Sequence, residues 1–105
     1  MSVIDFPLQG RRELRAYRLE GDNAIFSHVV ATVEPGIPDG FCVDREGNIY
    51  CSCETGIHIF NPQGQLLEHI PVPERVSNCT FGGVHGNELF ITATTSLYRV
   101  VITRL

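Results

Sequence analysis

Long hydrophobic runs are missing from this chain. No apolar stretch approaches the ~20 residues that a membrane helix needs. Also missing is any segment with apolar residues at i, i+3, i+4 and i+7 over three turns with caps at its ends, so no helix is expected. Positive charge is sparse: 8 Lys+Arg stand against 12 Asp+Glu, a formal net charge of −4. With no basic cluster, nucleic acid and anionic membrane surfaces are not expected as partners. The opening Met1-Ser2-Val3-Ile4-Asp5-Phe6 has no basic region ahead of an apolar core, so no signal peptide is expected. A Gly-x-Ser-x-Gly nucleophile motif is absent, and no Gly-Lys-Ser/Thr follows Gly82-Gly83, which therefore read as a tight bend and not as a phosphate loop.

The composition that remains, 43% hydrophobic and 19% charged over 105 residues, is that of one globular domain. Short apolar runs of roughly five residues, the usual strand length, alternate with Gly, Pro and Asn punctuation. They predict ten strands: Ser2–Phe6, Glu13–Leu19, Ile25–Val33, Phe41–Asp44, Ile49–Cys53, Ile57–Phe60, Leu66–Val72, Cys79–Phe81, Leu89–Thr94 and Leu97–Ile102. The connections are tight turns such as Glu20-Gly21-Asp22-Asn23 and Arg45-Glu46-Gly47-Asn48, with loops at 7–12 and at Glu34-Pro35-Gly36. Pro71 and Pro73 mark the end of an outer edge strand, where a missing N–H is tolerated.

The chain also repeats itself. Gly47-Asn48-Ile49-Tyr50 returns as Gly86-Asn87-Glu88-Leu89-Phe90, and Gly56-Ile57-His58-Ile59 returns as Ser96-Leu97-Tyr98-Arg99, 40 positions on. A period near 40 with four short strands per unit marks a β-propeller blade. The expectation is an all-β, propeller-like chain of about 2.5 four-stranded antiparallel blades: 1–34 the end of one blade, 37–73 a complete blade, 77–105 an incomplete one. Within the middle blade, Ile49, Cys51 and Cys53 should face one neighbour and Tyr50 the other.

Four cysteines, Cys42, Cys51, Cys53 and Cys79, all fall inside expected strands and read as small buried hydrophobes. Cys51-x-Cys53 lacks zinc-motif spacing, and no second Cys/His pair follows at the right distance. This usage suggests a reducing compartment, and a cytoplasmic location is the expectation. His28, His58, His69 and His85 lie beside no nucleophile motif and read as surface or partly buried strand residues. Asp44, just before a turn, reads as an acceptor for the backbone amides of Gly47 or Asn48. Asp39, between Pro38 and Gly40, has two readings: a turn residue bonding its own backbone, or a ligand. Asn78 occupies the slot of Asp39, 39 positions later, and is either a turn residue entering a strand or a channel-lining one.

The stretch Ile37-Pro38-Asp39-Gly40-Phe41-Cys42-Val43-Asp44-Arg45-Glu46-Gly47-Asn48-Ile49-Tyr50 resembles the Pro-Asp-Gly region of the gluconolactonase / senescence-marker-protein (regucalcin) family. Ser77-Asn78-Cys79-Thr80-Phe81-Gly82-Gly83 resembles its Phe-Gly-Gly region, and Ile4-Asp5 with Leu14-Arg15-Ala16-Tyr17 the strand pair ahead of them. The resemblance implies part of a six-bladed propeller from the C-terminal end, with a divalent metal in the central channel. That metal would be calcium first, with zinc or magnesium as alternatives. It implies hydrolysis of sugar lactones, with Asp39 as a metal ligand and Asn78 as a substrate-contacting, channel-lining residue. The other ligands, a Glu and one or two Asn, would lie upstream of Met1. The chain alone is therefore expected to bind metal weakly and to be inactive. Uncovered blade faces imply a homo-oligomer or missing N-terminal blades. The alternative is a non-enzymatic propeller fragment acting as an interaction module or self-assembling domain.

Overall fold

The computed structural model describes residues 2–5, 13–33 and 39–103. The expected loop at 7–12 and the stretch 34–38, with Pro38, lie outside them. Ten strands are present: β1 (Ser2–Asp5), β2 (Glu13–Glu20), β3 (Asn23–Thr32), β4 (Phe41–Val43), β5 (Ile49–Cys53), β6 (Gly56–Phe60), β7 (Leu66–Pro71), β8 (Val76–Gly82), β9 (Glu88–Ala93) and β10 (Leu97–Val101). No helix occurs among the described residues. The strands form three antiparallel sheets, each in chain order: β1-β2-β3, β4-β5-β6-β7 and β8-β9-β10. The all-β, propeller-type architecture read from the repeat is the observed one.

Asx-type side chains set two of the turns. Asp44 Oδ1 accepts the amides of Glu46 and Asn48, both at 2.9 Å, and Asp44 Oδ2 accepts Asn48 Nδ2 at 3.0 Å. Asn61 Oδ1 does the same for the amides of Gln63 and Gln65, at 3.0 and 2.9 Å. A short side-chain acceptor folding the backbone onto itself is the physical reason these residues start turns. Asp44 is thus structural, as its position suggested.

One boundary differs in a way that matters below. The third sheet begins at Val76, three residues before the expected Cys79, and its pairing with β9 shifts register between Val76 and Asn78. Val76 is buried and tethers the polar Ser77-Asn78 pair into the ladder, while the bulge absorbs the extra residue. The polar pair had disguised a strand.

The middle sheet is the keystone. Every residue of β5 and β6 is buried. Side chains alternate across a strand, so one face meets each neighbouring sheet. Ile49, Cys51, Cys53 and Phe60 pack on Leu14, Ala31 and Val33 of the first sheet. Tyr50, Ile57 and Ile59 pack on Val76, Cys79, Leu89 and Ile91 of the third. The face assignment expected for β5 is the one seen. The outermost strands are barer: Ile25, Phe26 and Val29 on β3, and Leu97 and Val101 on β10, are exposed.

A carboxylate ties the β7–β8 turn to the β9–β10 turn. Glu74 accepts the amide of Thr95 at 3.0 Å, the hydroxyl of Thr95, and the hydroxyl of Tyr98. These bonds, Thr95 first and then Tyr98 and Ser96, hold its pKa at about 2, below the ordinary 4.5. Because the folded pKa is depressed, the clasp stabilises above about pH 4.5 and is lost as pH falls towards 2. Glu74→Gln should therefore flatten the acid limb. Thermal melts from pH 5 to 2 should fall less steeply in the variant than in the parent, which starts higher at neutral pH. Equal slopes would remove Glu74 from the account of acid sensitivity.

Candidate functional site

Asp39 lies two residues ahead of Phe41, where β4, the first strand of the middle sheet, begins, and is exposed. Its backbone is held by a residue from the neighbouring strand. Ser52 Oγ accepts the amide of Asp39 at 2.7 Å and that of Gly40 at 3.0 Å, and the Ser52 amide donates to the Gly40 carbonyl at 2.9 Å. Ser52 is only 1% exposed, so these bonds form out of water, where unsatisfied amides would be costly. One buried hydroxyl thereby fixes two successive peptides and presents the Asp39 carboxylate to solvent.

Asn78 lies across from this pair, also exposed. It is inside β8 next to the bulge and does not sit at a strand entrance, which corrects the turn reading. Its Oδ1 accepts the amide of Cys79 at 2.8 Å. A Cβ on Gly40 would stand 2.4 Å from Asn78 Oδ1 and 2.6 Å from the Ser77 carbonyl. Glycine at position 40 is thus what lets the inner strands β4 and β8 close on each other with Asn78 beside Asp39-Gly40. The two residues singled out by sequence share one end of two adjacent inner strands. Ser52, which holds the Asp39-Gly40 backbone, had not been singled out. Its signal is a polar residue in an otherwise apolar strand with both faces covered.

The Asp39 carboxylate is a hard oxygen donor of the type that calcium or magnesium takes. Its chemistry fits such an ion, though one carboxylate supplies only part of the six to eight oxygens calcium prefers. At the other end of β4 a cleft of about 470 Å³ is lined by Asp44, Arg45, Phe81 and His85, away from Asp39.

The remaining candidates separate clearly. All four cysteines are free. Cys42 Sγ and Cys79 Sγ touch at 3.5 Å between β4 and β8, and burial pushes the Cys51 thiol up. His28 is exposed and bonded to Ser27 Oγ at 2.9 Å. His58 is buried and His69 exposed, with ring centroids 5.1 Å apart at 74°. One donor atom from each of Cys53, His58 and His69 lies within 4.8 Å of the others. Sequence spacing did not show this group, because its members come from three different strands.

The SMP-30/Gluconolactonase/LRE-like region matches residues 10–95 of the chain. The gluconolactonase of Zymomonas mobilis is 42% identical over 67 residues, covering 62% of this chain and 18% of that protein. Regucalcin of Danio rerio is 39% identical over 64 residues, covering 57% of this chain and 22% of that protein. Among solved structures, a gluconolactonase from Xanthomonas campestris superposes with a TM-score of 0.77 at 41% identity, covering 85% of this chain and 30% of that one. The matches thus span about a fifth of the length of these curated relatives.

Proposed function

The chain belongs to the SMP-30/gluconolactonase/LRE-like family, and from that premise we propose that it is a sector of a divalent-metal-dependent sugar-lactone hydrolase. The observation that carries this reading is the Asp39-Gly40 unit pinned to buried Ser52 beside Asn78. In this reading Asp39 would hold the ion through its carboxylate, and Asn78 would orient a hydroxyl-rich substrate with its amide. Ser52 is a positioning residue. When bound, a divalent cation supplies Lewis-acid polarisation of a lactone carbonyl. The further oxygens that calcium needs come from outside these residues, so affinity in this chain is low. The exposed β10 edge, with Leu97 and Val101, is where further strands of such an assembly would dock.

An NMR titration tests the site. Calcium should shift the amides of Asp39, Gly40 and Asn78 with a Kd of ~1 mM, the range of weak oxygen sites. Glucono-δ-lactone added to the calcium-loaded chain should shift the same amides further. Asp39→Ala should abolish both responses, and Ser52→Ala should weaken the first by roughly tenfold, as loss of a supporting hydrogen bond does. Calcium shifts elsewhere, or shifts that survive Asp39→Ala, would overturn the assignment.

A further inference from the structure

We propose that Cys53, His58 and His69 form a binding site for a borderline transition-metal ion of the Zn²⁺ type, in the face between the first and middle sheets. The argument begins with register. His58 of β6 stands opposite His69 of β7 and opposite Cys51 of β5. Side chains two residues apart share a face, so Cys53 lies on the same side as Cys51 and His58. The donor atoms of Cys53, His58 and His69 accordingly converge to within 4.8 Å of one another. Cys53 is 2% and His58 8% exposed, and both sit on the strands with the most covered faces.

A second observation points to a ligand. Nδ1 of His58 is buried and has no hydrogen-bond partner. Native interiors seldom tolerate this, because an unpaired buried polar atom forfeits its hydration. Burial, and then the neighbouring His69, holds the His58 pKa below its ordinary value. The mouth is polar: Thr55 Oγ1 lies 3.0 Å from His69 Nε2 and 3.7 Å from Cys53 Sγ.

The donor set selects the ion. One thiolate and two imidazoles suit zinc, and they exclude the hard cations that prefer oxygen. Zn–S and Zn–N bonds in tetrahedral geometry place donors ~3.3–3.6 Å apart. His69 is exposed, so its side chain has room to adjust. On binding, the Cys53 thiol gives its proton to solvent, the imidazoles bind as neutral bases, and water takes the fourth position. The ion would clasp β5, β6 and β7 together across their common end. Ser52, which pins Asp39, adjoins Cys53 in β5, so the clasp and the oxygen site share one segment of backbone.

Cobalt is the probe. Titrating the reduced 105-residue chain with Co²⁺ should give near-ultraviolet thiolate-to-metal absorption and the visible bands of a tetrahedral ion, saturating at one ion per chain. Zn²⁺ should bleach these bands and raise the melting temperature, while millimolar Ca²⁺ should leave the bands unchanged. Cys53→Ser should remove the thiolate band, whereas Cys42→Ala should keep it. His69→Gln alters an exposed residue, so its fold is expected to survive, as circular dichroism can verify. It should weaken binding at least about tenfold and abolish the zinc-induced rise in melting temperature. Asp39→Ala should leave all of this intact, which separates the site from the calcium reading. The absence of a band in folded parent chain, or a band indifferent to Cys53→Ser or His69→Gln, would overturn the proposal.

Discussion

Tyr50→Ala should lower the stability of the chain by about 4 kcal/mol, the range for truncating a large buried aromatic. Tyr50 is fully buried between the middle and third sheets. Its ring meets Phe81 edge to face, with centroids 4.9 Å apart at 84°, and its hydroxyl reaches Asp44 Oδ2 at 3.4 Å. Truncation opens a cavity among Ile57, Ile59, Cys79, Leu89 and Ile91, which belong to two sheets and cannot all collapse into it. Against a total stability of roughly 5–15 kcal/mol for a domain, such a loss leaves a large unfolded fraction. Tyr50→Phe keeps the ring and gives up the long hydrogen bond to Asp44, so it should cost about 1 kcal/mol. Urea midpoints of the three proteins measure the contrast. A Tyr50→Ala loss no larger than that of Tyr50→Phe would mean that the second and third sheets do not depend on this ring.

Gly64→Ala should be the most damaging single-methyl change. Gly64 has φ 85° in the turn between β6 and β7, and a Cβ there would stand 1.7 Å from the Val30 carbonyl oxygen on β3. The obstacle is backbone, so no side chain can move aside. Left-handed strain adds about 1 kcal/mol, and forcing the first sheet off the middle one adds about 1–3 kcal/mol. Gly21 is the internal control, with φ 58° and nothing within 4 Å of its added Cβ. Gly21→Ala should show the strain alone, about 1 kcal/mol. The difference between the two midpoints in urea reports the close approach of the sheets. Equal losses would mean that the approach carries no energy.

Strand pattern was largely legible in the sequence because each strand is short, β-rich and bounded by turn residues. Alternation in Ile49–Cys53 even assigned its two faces. What was not legible depended on register between strands. Ser52 looks like a stray polar residue until β4 and β5 are aligned and its hydroxyl falls under the amides of Asp39 and Gly40. Cys53, His58 and His69 occupy unrelated sequence spacings, and they converge only because β5, β6 and β7 pair in sequence with His58 opposite His69. A slip of one residue in any of these strands would send its member of the group to the other face. The pairing of β6 with β7 contains an irregularity between Ile59 and Phe60, a break that sequence alternation does not reveal. A turn remained one of two readings for Asn78 for the related reason that its strand begins with polar residues paired through a bulge.

Each described strand bonds only to its neighbour in the chain, and turns of two or three residues join β2 to β3, β5 to β6 and β9 to β10. This connectivity has a kinetic consequence. Loops this short close in well under a microsecond and hairpins form within about 1–10 µs, so each sheet can zip up locally before any distant contact is made. The slower step is docking one sheet on the next through contacts such as those of Tyr50 and Gly64. If those contacts form after the folding barrier, substitutions at these two positions should chiefly accelerate unfolding, while changes within the β5–β6 hairpin slow folding itself.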